Sequence, residues 1–183
     1  MKEKLKNRLN AHRFEHSMGV ADEAVKLARL YGEDEEKAYI AGLLHDFAKG
    51  YSTEKQIQLC KELGVELDEI TLKCPAVIHA PLGAVLAKTD FGIEDKDILD
   101  AIRSHTTGAT DMTKLMKIIY IADMIEPMRE FLGVDKLRKL AHENLDEAIM
   151  AALAQSIEFN LRKSTVIHPD TLKAWNSCII NKI

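Results

Sequence analysis

Apolar residues recur every three to four positions along most of this chain, which is the spacing of helices that bury one face. The first such stretch covers residues 12–32 and ends at Gly32. Its apolar stripe consists of Phe14, Val20, Ala24, Leu27 and Ala28. The second stretch begins near Asp34 and continues to Gly50. Both stretches predict amphipathic helices that pack against a common core.

Capping residues and prolines predict where the later helices begin and end. Thr53 with Gln56 three positions on has the pattern of a capping box, for a helix that ends at Gly64. Pro75 and Pro81 predict a short turn and then a helix that opens near Pro81. The remaining helices are predicted at DKDILDAIRSH (95–105), TKLMKIIYIADMIEP (113–127), LDEAIMAALAQSIEFNLRKS (145–164, capped by Asn144 with Glu147) and from Pro169 through Trp175.

The chain carries no strand-like alternation of useful length, no internal repeat, no low-complexity tract and no linker. Its 183 residues suffice for one domain with a substantial core. The sequence therefore predicts an all-α helical bundle in which residues 1–183 form a single domain.

Composition and charge exclude several classes of protein. The 25 Lys and Arg residues are mixed among 29 Asp and Glu residues, for a net charge of −4, so no basic stripe is available to bind nucleic acid. No window approaches 18 apolar residues and the first residues lack the apolar core of a signal peptide, which predicts a cytoplasmic protein without membrane contact. Three cysteines without a C-x-x-C spacing predict neither disulfides nor a cysteine zinc site.

Imidazole and carboxylate side chains stand at inward positions of five of the predicted helical segments. His45 and Asp46 follow the apolar residues of AGLLHDFAKG (41–50), where burial of such groups requires partners or a metal. The other members are His16 on the first stripe, His79 just before Pro81, His105 at the end of DKDILDAIRSH, and Asp123 four residues after Ile119. These residue types bind hard or borderline divalent cations.

Each of these residues, taken alone, has a simpler interpretation. An inward histidine is commonly a hydrogen-bonded core residue, and an inward aspartate can cap a neighbouring helix. Six of them within an apolar frame favour a shared metal site instead. Gly83, four residues after His79, is expected to let another group approach the backbone closely. His12 and His142 lie in polar runs and are interpreted as solvated surface.

The order of these residues resembles the HD superfamily of metal-dependent phosphohydrolases, which are all-helical. Six blocks, RFEHSMGVA, GLLHDFAKG, IHAPLGA, SHTTG, YIADMIEPMR and IHPDT, are similar to its YqeK branch, whose members hydrolyse dinucleoside tetraphosphates symmetrically. The resemblance covers about residues 10–175, and no metal-ligand position is missing.

The resemblance implies a divalent metal site of one or two ions, and ligands without thiolate suit iron first and manganese second. The first ion is expected on His16, His45, Asp46 and Asp123. Asp46 would bridge to any second ion, held by His79 and His105. With one ion only, those two imidazoles are expected to donate to phosphate oxygens. Asp46, Lys49, His79 and His105 are the expected catalytic groups.

Nucleotide contacts are assigned from the same resemblance. Lys49 either reaches a phosphate or stabilises a helix C-terminus, and Arg129 offers a forked donor to two phosphate oxygens. The turn Thr106, Thr107 and Gly108 either donates to phosphate or simply ends a helix. His168–Thr171 begins a helix that favours an anion or a base, with a plain N-cap by Asp170 as the alternative. The full predicted set is Arg13, His16, His79, His105, Thr106, Asp123, Arg129, Val166, Ile167, His168, Pro169, Asp170 and Thr171.

The function expected from this resemblance is symmetrical hydrolysis of dinucleoside tetraphosphates by a metal-activated hydroxide, with a dinucleoside polyphosphate or nucleoside diphosphate as ligand. Two alternatives stay open. One is another HD-type hydrolase that acts on a nucleoside triphosphate, a cyclic nucleotide or a guanosine alarmone. The other is a non-catalytic sensor of metal or nucleotide. The sequence leaves the oligomeric state open, a homodimer included.

Overall fold

Eleven α-helices and two short 3₁₀ segments make up the regular structure of residues 1–181, the part of the chain that this computed structural model describes. The α-helices are α1 (Lys2–Arg8), α2 (Ala11–Tyr31), α3 (Glu35–Leu44), α4 (Thr53–Glu62), α5 (Glu69–Lys73), α6 (His79–Phe91), α7 (Lys96–Ser104), α8 (Lys114–Ile125), α9 (Val134–Glu143), α10 (Leu145–Lys163) and α11 (Pro169–Ile180). The 3₁₀ segments are Phe47–Gly50 and Pro75–Val77. No strand occurs within the described range, so the prediction of an all-α fold is confirmed.

Several predicted helix boundaries are confirmed to within a residue or two. The stretch predicted at 12–32 is α2, which ends where Gly32 takes a left-handed φ of 64°. Asn144 caps α10 as predicted, because its side chain accepts hydrogen bonds from the backbone N–H groups of Asp146 and Glu147. The predicted capping box with Glu147 is not completed, since the Asn144 N–H donates to the Leu140 carbonyl. Local capping chemistry was therefore sufficient to locate these ends.

The prediction of one helix from Asp34 to Gly50 is wrong in its second half. α3 ends at Leu44, and a 3₁₀ segment follows from Phe47. The cause is a local competition: His45 Nδ1–H donates to the Gly42 carbonyl at 2.7 Å, the carbonyl that a continuing helix would offer to the N–H of Asp46. His45 and Asp46 thus lie at a break, where both side chains can turn towards the neighbouring helices.

The cap predicted for α4 is wrong by one residue. Ser52, not Thr53, is the N-cap, and its hydroxyl accepts from the backbone N–H of Lys55. Gln56 does not complete a capping box, because its side-chain amide donates to the Tyr51 carbonyl at 3.0 Å.

Three helices were not predicted. α1 and α5 have only seven and five residues, too short for a clear periodic pattern. α9 has ten and buries Val134, Leu137 and Ala141, so its pattern was present in the sequence. The buried core also extends before residue 10, the start of the family-like region, since Leu5 is fully buried.

Four helices, α2, α3, α7 and α8, pack against one another and surround the polar residues of interest. α6 packs on α7 and on the 3₁₀ segment Phe47–Gly50, while α10 covers α8 from the other side and carries α9 and α11. α2 and α3 cross closely, because a Cβ built on Gly42 would lie 2.8 Å from the Cα of Ala21. This close crossing brings the two helices that carry His16 and His45 together.

The surface agrees with the simpler expectations. His12 and His142 are exposed, and the three cysteines are free thiols. Among the described residues, none of the helices combines the length and the apolar character that crossing a membrane requires.

Candidate metal centre

The six residues predicted to bind metal converge on one point inside the bundle. They come from α2, the break after α3, the first residue of α6, the end of α7 and the last turns of α8. Five are almost fully buried, and the Asp123 side chain is 13% exposed. The six are His16, His45, Asp46, His79, His105 and Asp123.

Three of the six form a first group of ligand atoms. His16 Nε2 lies 3.2 Å from His45 Nε2 and 3.1 Å from Asp123 Oδ1. The His45 nitrogen lies 3.8 Å from the same Asp123 oxygen. All three atoms therefore face a common point, the arrangement of ligands around an ion.

A second group of ligand atoms lies on the other side of Asp46. His79 Nε2 is 3.0 Å from His105 Nε2, and the two nitrogens are 3.1 Å and 3.6 Å from Asp46 Oδ1. The other oxygen, Asp46 Oδ2, lies 3.6 Å and 3.5 Å from the nitrogens of His16 and His45. Asp46 thus stands between the two groups, one oxygen towards each.

The donor set fits a divalent cation. Two donors at about 2.1 Å from one ion and at right angles lie about 3.0 Å apart, which matches the separations of the paired imidazole nitrogens. The Nδ1–H groups of His45 and His105 donate to the carbonyls of Gly42 and Ile102, both at 2.7 Å, so Nε2 of a neutral ring keeps a free lone pair. Asp46 Oδ1 is buried and accepts no well-aligned hydrogen bond, which leaves it available as a ligand.

The protonation of the cluster also suits metal binding. Burial lowers the pKa of His79 to about 3 and also lowers the pKa of His105, so both rings are neutral at pH 7. Burial opposes charge on Asp46 and Asp123, but the surrounding imidazoles hold the pKa of both carboxyls well below the ordinary value. His45 is the exception: burial opposes its charged form, but Asp46 and Asp123 raise its pKa above the ordinary value, so a protonated His45 ring must lose that proton when a metal binds. Neutral imidazoles and ionised carboxylates are the ligand forms that metals require.

Three cations contact the carboxylates of the cluster. Arg13 Nη1 lies 2.7 Å from Asp46 Oδ2, and Lys49 Nζ lies 3.0 Å from Asp46 Oδ1. Arg129 pairs with the Asp123 carboxylate and donates from Nε to the Asp123 carbonyl at 2.7 Å. Their side chains are 26–37% exposed, so part of each cation faces solvent.

A cavity of about 670 Å³ is lined by residues on both sides of His105 in the chain and by part of the predicted nucleotide set. Thr106, Thr107, His168 and Asp170 line it together with Arg103. The buried Thr106 Oγ1 has no hydrogen-bond partner, whereas Thr107 Oγ1 donates to the Gly108 carbonyl. Four predicted residues of the 166–171 segment lie outside this lining: Val166, Ile167, Pro169 and Thr171.

The N-cap of α11 is not Asp170, the residue given above as the alternative to nucleotide binding by this segment. The cap is His168 rather than Asp170, because His168 Nδ1 accepts from the backbone N–H of Asp170 at 3.3 Å. His168 Nε2 lies 3.0 Å from Thr71 Oγ1, which fixes the ring at the wall of the cavity.

Sequence reasoning missed Glu126 beside the cluster and several polar residues of the cavity lining: Glu66, Asp68, Thr71 and Arg103. Glu126 is 1% exposed and its Oε1 lies 3.0 Å from His16 Nδ1. Arg103 lines the cavity just before His105. The only signal in the sequence for Glu126 was its spacing, three residues after Asp123. Its partner His16 is 110 positions away in the chain.

Comparison with known proteins places this geometry in context. The model of the HD domain family matches residues 13–128. The protein named bis(5'-nucleosyl)-tetraphosphatase, symmetrical, of Halalkalibacterium halodurans is 41% identical over 97% of this chain and 95% of its own. The Bacillus subtilis protein of that name is 41% identical over 94% and 92%. A Clostridium acetobutylicum crystal structure, described as a predicted HD superfamily hydrolase involved in NAD metabolism, superposes with a TM-score of 0.96 at 46% identity, covering 98% of this chain and 95% of that one.

Proposed function

The chain belongs to the HD domain family, and from that premise we propose that it is a metal-dependent hydrolase that cleaves dinucleoside tetraphosphates symmetrically. Diadenosine tetraphosphate is the expected substrate and ADP the only product. The observation that carries the proposal is the near-full-length similarity to symmetrical bis(5'-nucleosyl)-tetraphosphatases. The convergence of six imidazole and carboxylate groups on one buried point supports it independently.

The metal ligands in this proposal are His16, His45, Asp46 and Asp123, with iron as the first choice of metal and manganese as the second. A second ion, if present, would be held by His79 and His105 together with Asp46, since the two Asp46 oxygens face the two groups. A divalent cation bound there would lower the pKa of water to about 7 and would offset charge on phosphoryl oxygens.

Three basic side chains of the protein would bind the phosphates of the substrate. Arg13, Lys49 and Arg129 contact the cluster carboxylates through partly exposed side chains. A tetraphosphate that carries several negative charges competes for the same donors, and a guanidinium can bind two phosphate oxygens at once. If only one ion is bound, a neutral His79 keeps one ring N–H that it could donate to a phosphate oxygen, whereas a neutral His105, whose Nδ1–H is held by the Ile102 carbonyl, could donate only after gaining a proton.

The choice of bond follows from where one nucleotide half is held. We assign the base, ribose and two phosphates of that half to the region between Arg129 and the cavity lined by Thr106, His168 and Asp170. Anchoring a nucleoside at a fixed reach from the metal cluster directs attack to its second phosphate. The leaving group is then the other nucleoside diphosphate.

The test is product analysis of diadenosine tetraphosphate in ¹⁸O-labelled water. We expect two ADP molecules, one of which carries the label on its terminal phosphate. ATP plus AMP as the main products would contradict symmetrical cleavage and leave the metal site untouched.

A substrate panel separates the alternatives. It should contain a nucleoside triphosphate, a cyclic nucleotide, a guanosine alarmone and NAD, which has a two-phosphate bridge. Faster turnover of any of these than of diadenosine tetraphosphate would contradict the proposed substrate. Metal content without turnover of any compound would favour the sensor alternative.

A further inference from the structure

The hydrogen-bond partner that orients the His16 ring differs in kind from the partners of His45 and His105. His45 and His105 each donate from Nδ1–H to a backbone carbonyl three residues earlier. His16 lies inside α2, and its Nδ1 instead faces the Glu126 carboxylate at 3.0 Å. A side chain from another helix therefore holds this ring, and side chains can be substituted.

The Glu126 carboxylate is itself fixed at both oxygens. Oε1 faces His16, and Oε2 accepts from the backbone N–H of Met128 at 2.7 Å. Gly19, one turn after His16 on the same helix, leaves the space for it: a Cβ at that position would lie 2.9 Å from Oε2. The carboxylate is thus confined in a slot between α2 and the end of α8.

The backbone that carries Glu126 is clamped as well. Arg138 of α9 donates to three carbonyls of the turn after α8, those of Ile125, Glu126 and Arg129, at 2.8–3.1 Å. The Glu126 carbonyl also accepts from the backbone N–H of Arg129 at 2.9 Å, so Arg138 adds to the hydrogen bonds that hold this turn. The clamp ties the position of the Glu126 carboxylate to the packing of α9 on α8.

We propose that Glu126 is a positioning residue for the metal centre. It keeps the His16 proton on Nδ1 and so presents an unprotonated Nε2 towards His45 and Asp123. A carboxylate in this place also makes the ring a better donor, and loss of such a partner typically weakens metal binding by 10–100-fold. The inference rests on the proposed metal role of His16 and is independent of the substrate.

The test compares metal affinity in variants that keep the fold. Glu126→Gln keeps an acceptor oxygen but removes the charge, and Glu126→Ala removes both. Gly19→Ala leaves every polar group in place and displaces the carboxylate, the movable end of a flexible side chain. Glu23→Gln is the matched control, because Glu23 is 6% exposed and contacts His142 Nε2 at 3.0 Å away from the cluster.

Mn²⁺ titration of metal-stripped protein provides the measurement. We expect Glu126→Ala to bind Mn²⁺ about 10–100-fold more weakly than the native protein, with smaller losses in Glu126→Gln and Gly19→Ala. Glu23→Gln should bind as the native protein does. Melting temperatures of the metal-stripped Glu126→Gln and Gly19→Ala proteins should stay near the native value.

A spectroscopic readout distinguishes positioning from a general structural effect. Long-range ¹H–¹⁵N correlation spectra should show the Nδ1–H tautomer of His16 in the metal-stripped native protein and a tautomer mixture in Glu126→Ala. Native Mn²⁺ affinity in both Glu126→Gln and Gly19→Ala, or an Nε2–H tautomer in the native protein, would overturn the inference. Absence of Mn²⁺ binding by the native protein would overturn the metal site with it, whereas failure to cleave diadenosine tetraphosphate would leave the inference standing.

Discussion

Substitution of Gly42 by alanine tests whether the close crossing of α2 and α3 sets the geometry of the metal cluster. A Cβ at Gly42 would lie 2.8 Å from the Cα of Ala21 and 3.2 Å from the carbonyl oxygen of Val20. These are backbone atoms, which cannot turn aside as a side chain can. The two helices must therefore separate by about 0.6 Å before the contact becomes an ordinary van der Waals one.

The expected change in the free energy of unfolding of Gly42→Ala combines two opposing effects. Overpacking of this kind costs about 1–3 kcal/mol, and alanine in a helix interior returns about 0.5–1 kcal/mol relative to glycine. The net loss, at most about 2.5 kcal/mol, corresponds to a melting temperature lower by up to about 5–10 °C for a chain of this size. Because His16 and His45 lie on the two separating elements, the 3.2 Å between their Nε2 atoms should also widen and Mn²⁺ binding should weaken.

Differential scanning calorimetry of metal-stripped protein measures the stability change, and Mn²⁺ titration measures the affinity. Gly83→Ala is the matched control: it is also a helix-interior glycine beside the cluster, but its Cβ would come no closer than 3.4 Å, to the His45 carbonyl oxygen. The control should melt at the native temperature or about 1–3 °C above it. A Gly42→Ala protein that melts as high as Gly83→Ala would refute the reasoning.

Three further predictions follow from the cluster, a helix cap and the surface charge. Asp46→Ala should lose both bound metal and hydrolytic activity, because Asp46 faces both ligand groups; full occupancy by elemental analysis would argue strongly against the assignment. Asn144→Ala should lower the free energy of unfolding by about 1 kcal/mol through loss of the α10 cap, while Asn144→Asp, which keeps the acceptor, should not; equal urea midpoints for the two variants would contradict this. The protein should not bind duplex DNA or RNA at physiological salt, given a net charge of −4, and a salt-sensitive sub-micromolar shift in a binding assay would show otherwise.

Helix periodicity and capping are local properties, and for that reason the sequence alone predicted much of the fold. The stripe of α2, the helical character of α8 and the cap of α10 each depend on residues within a few turns of one another. The same local reasoning placed His16 and Asp123 on inward faces, where the structure also has them. The break after Leu44 was missed because it depends on a side chain that competes with the helix for one carbonyl.

The distances between these residues were decided by the tertiary structure. His16 contacts His45 because Gly42 lets α2 and α3 approach closely. Glu126, 110 positions from His16 in the chain, reaches it because Gly19 has no side chain to fill the space that the carboxylate occupies. The cavity wall likewise joins Thr106 to His168 from separate helices. Sequence spacing fixes which face of a helix a residue occupies, but the separation of two faces depends on the volumes packed between them.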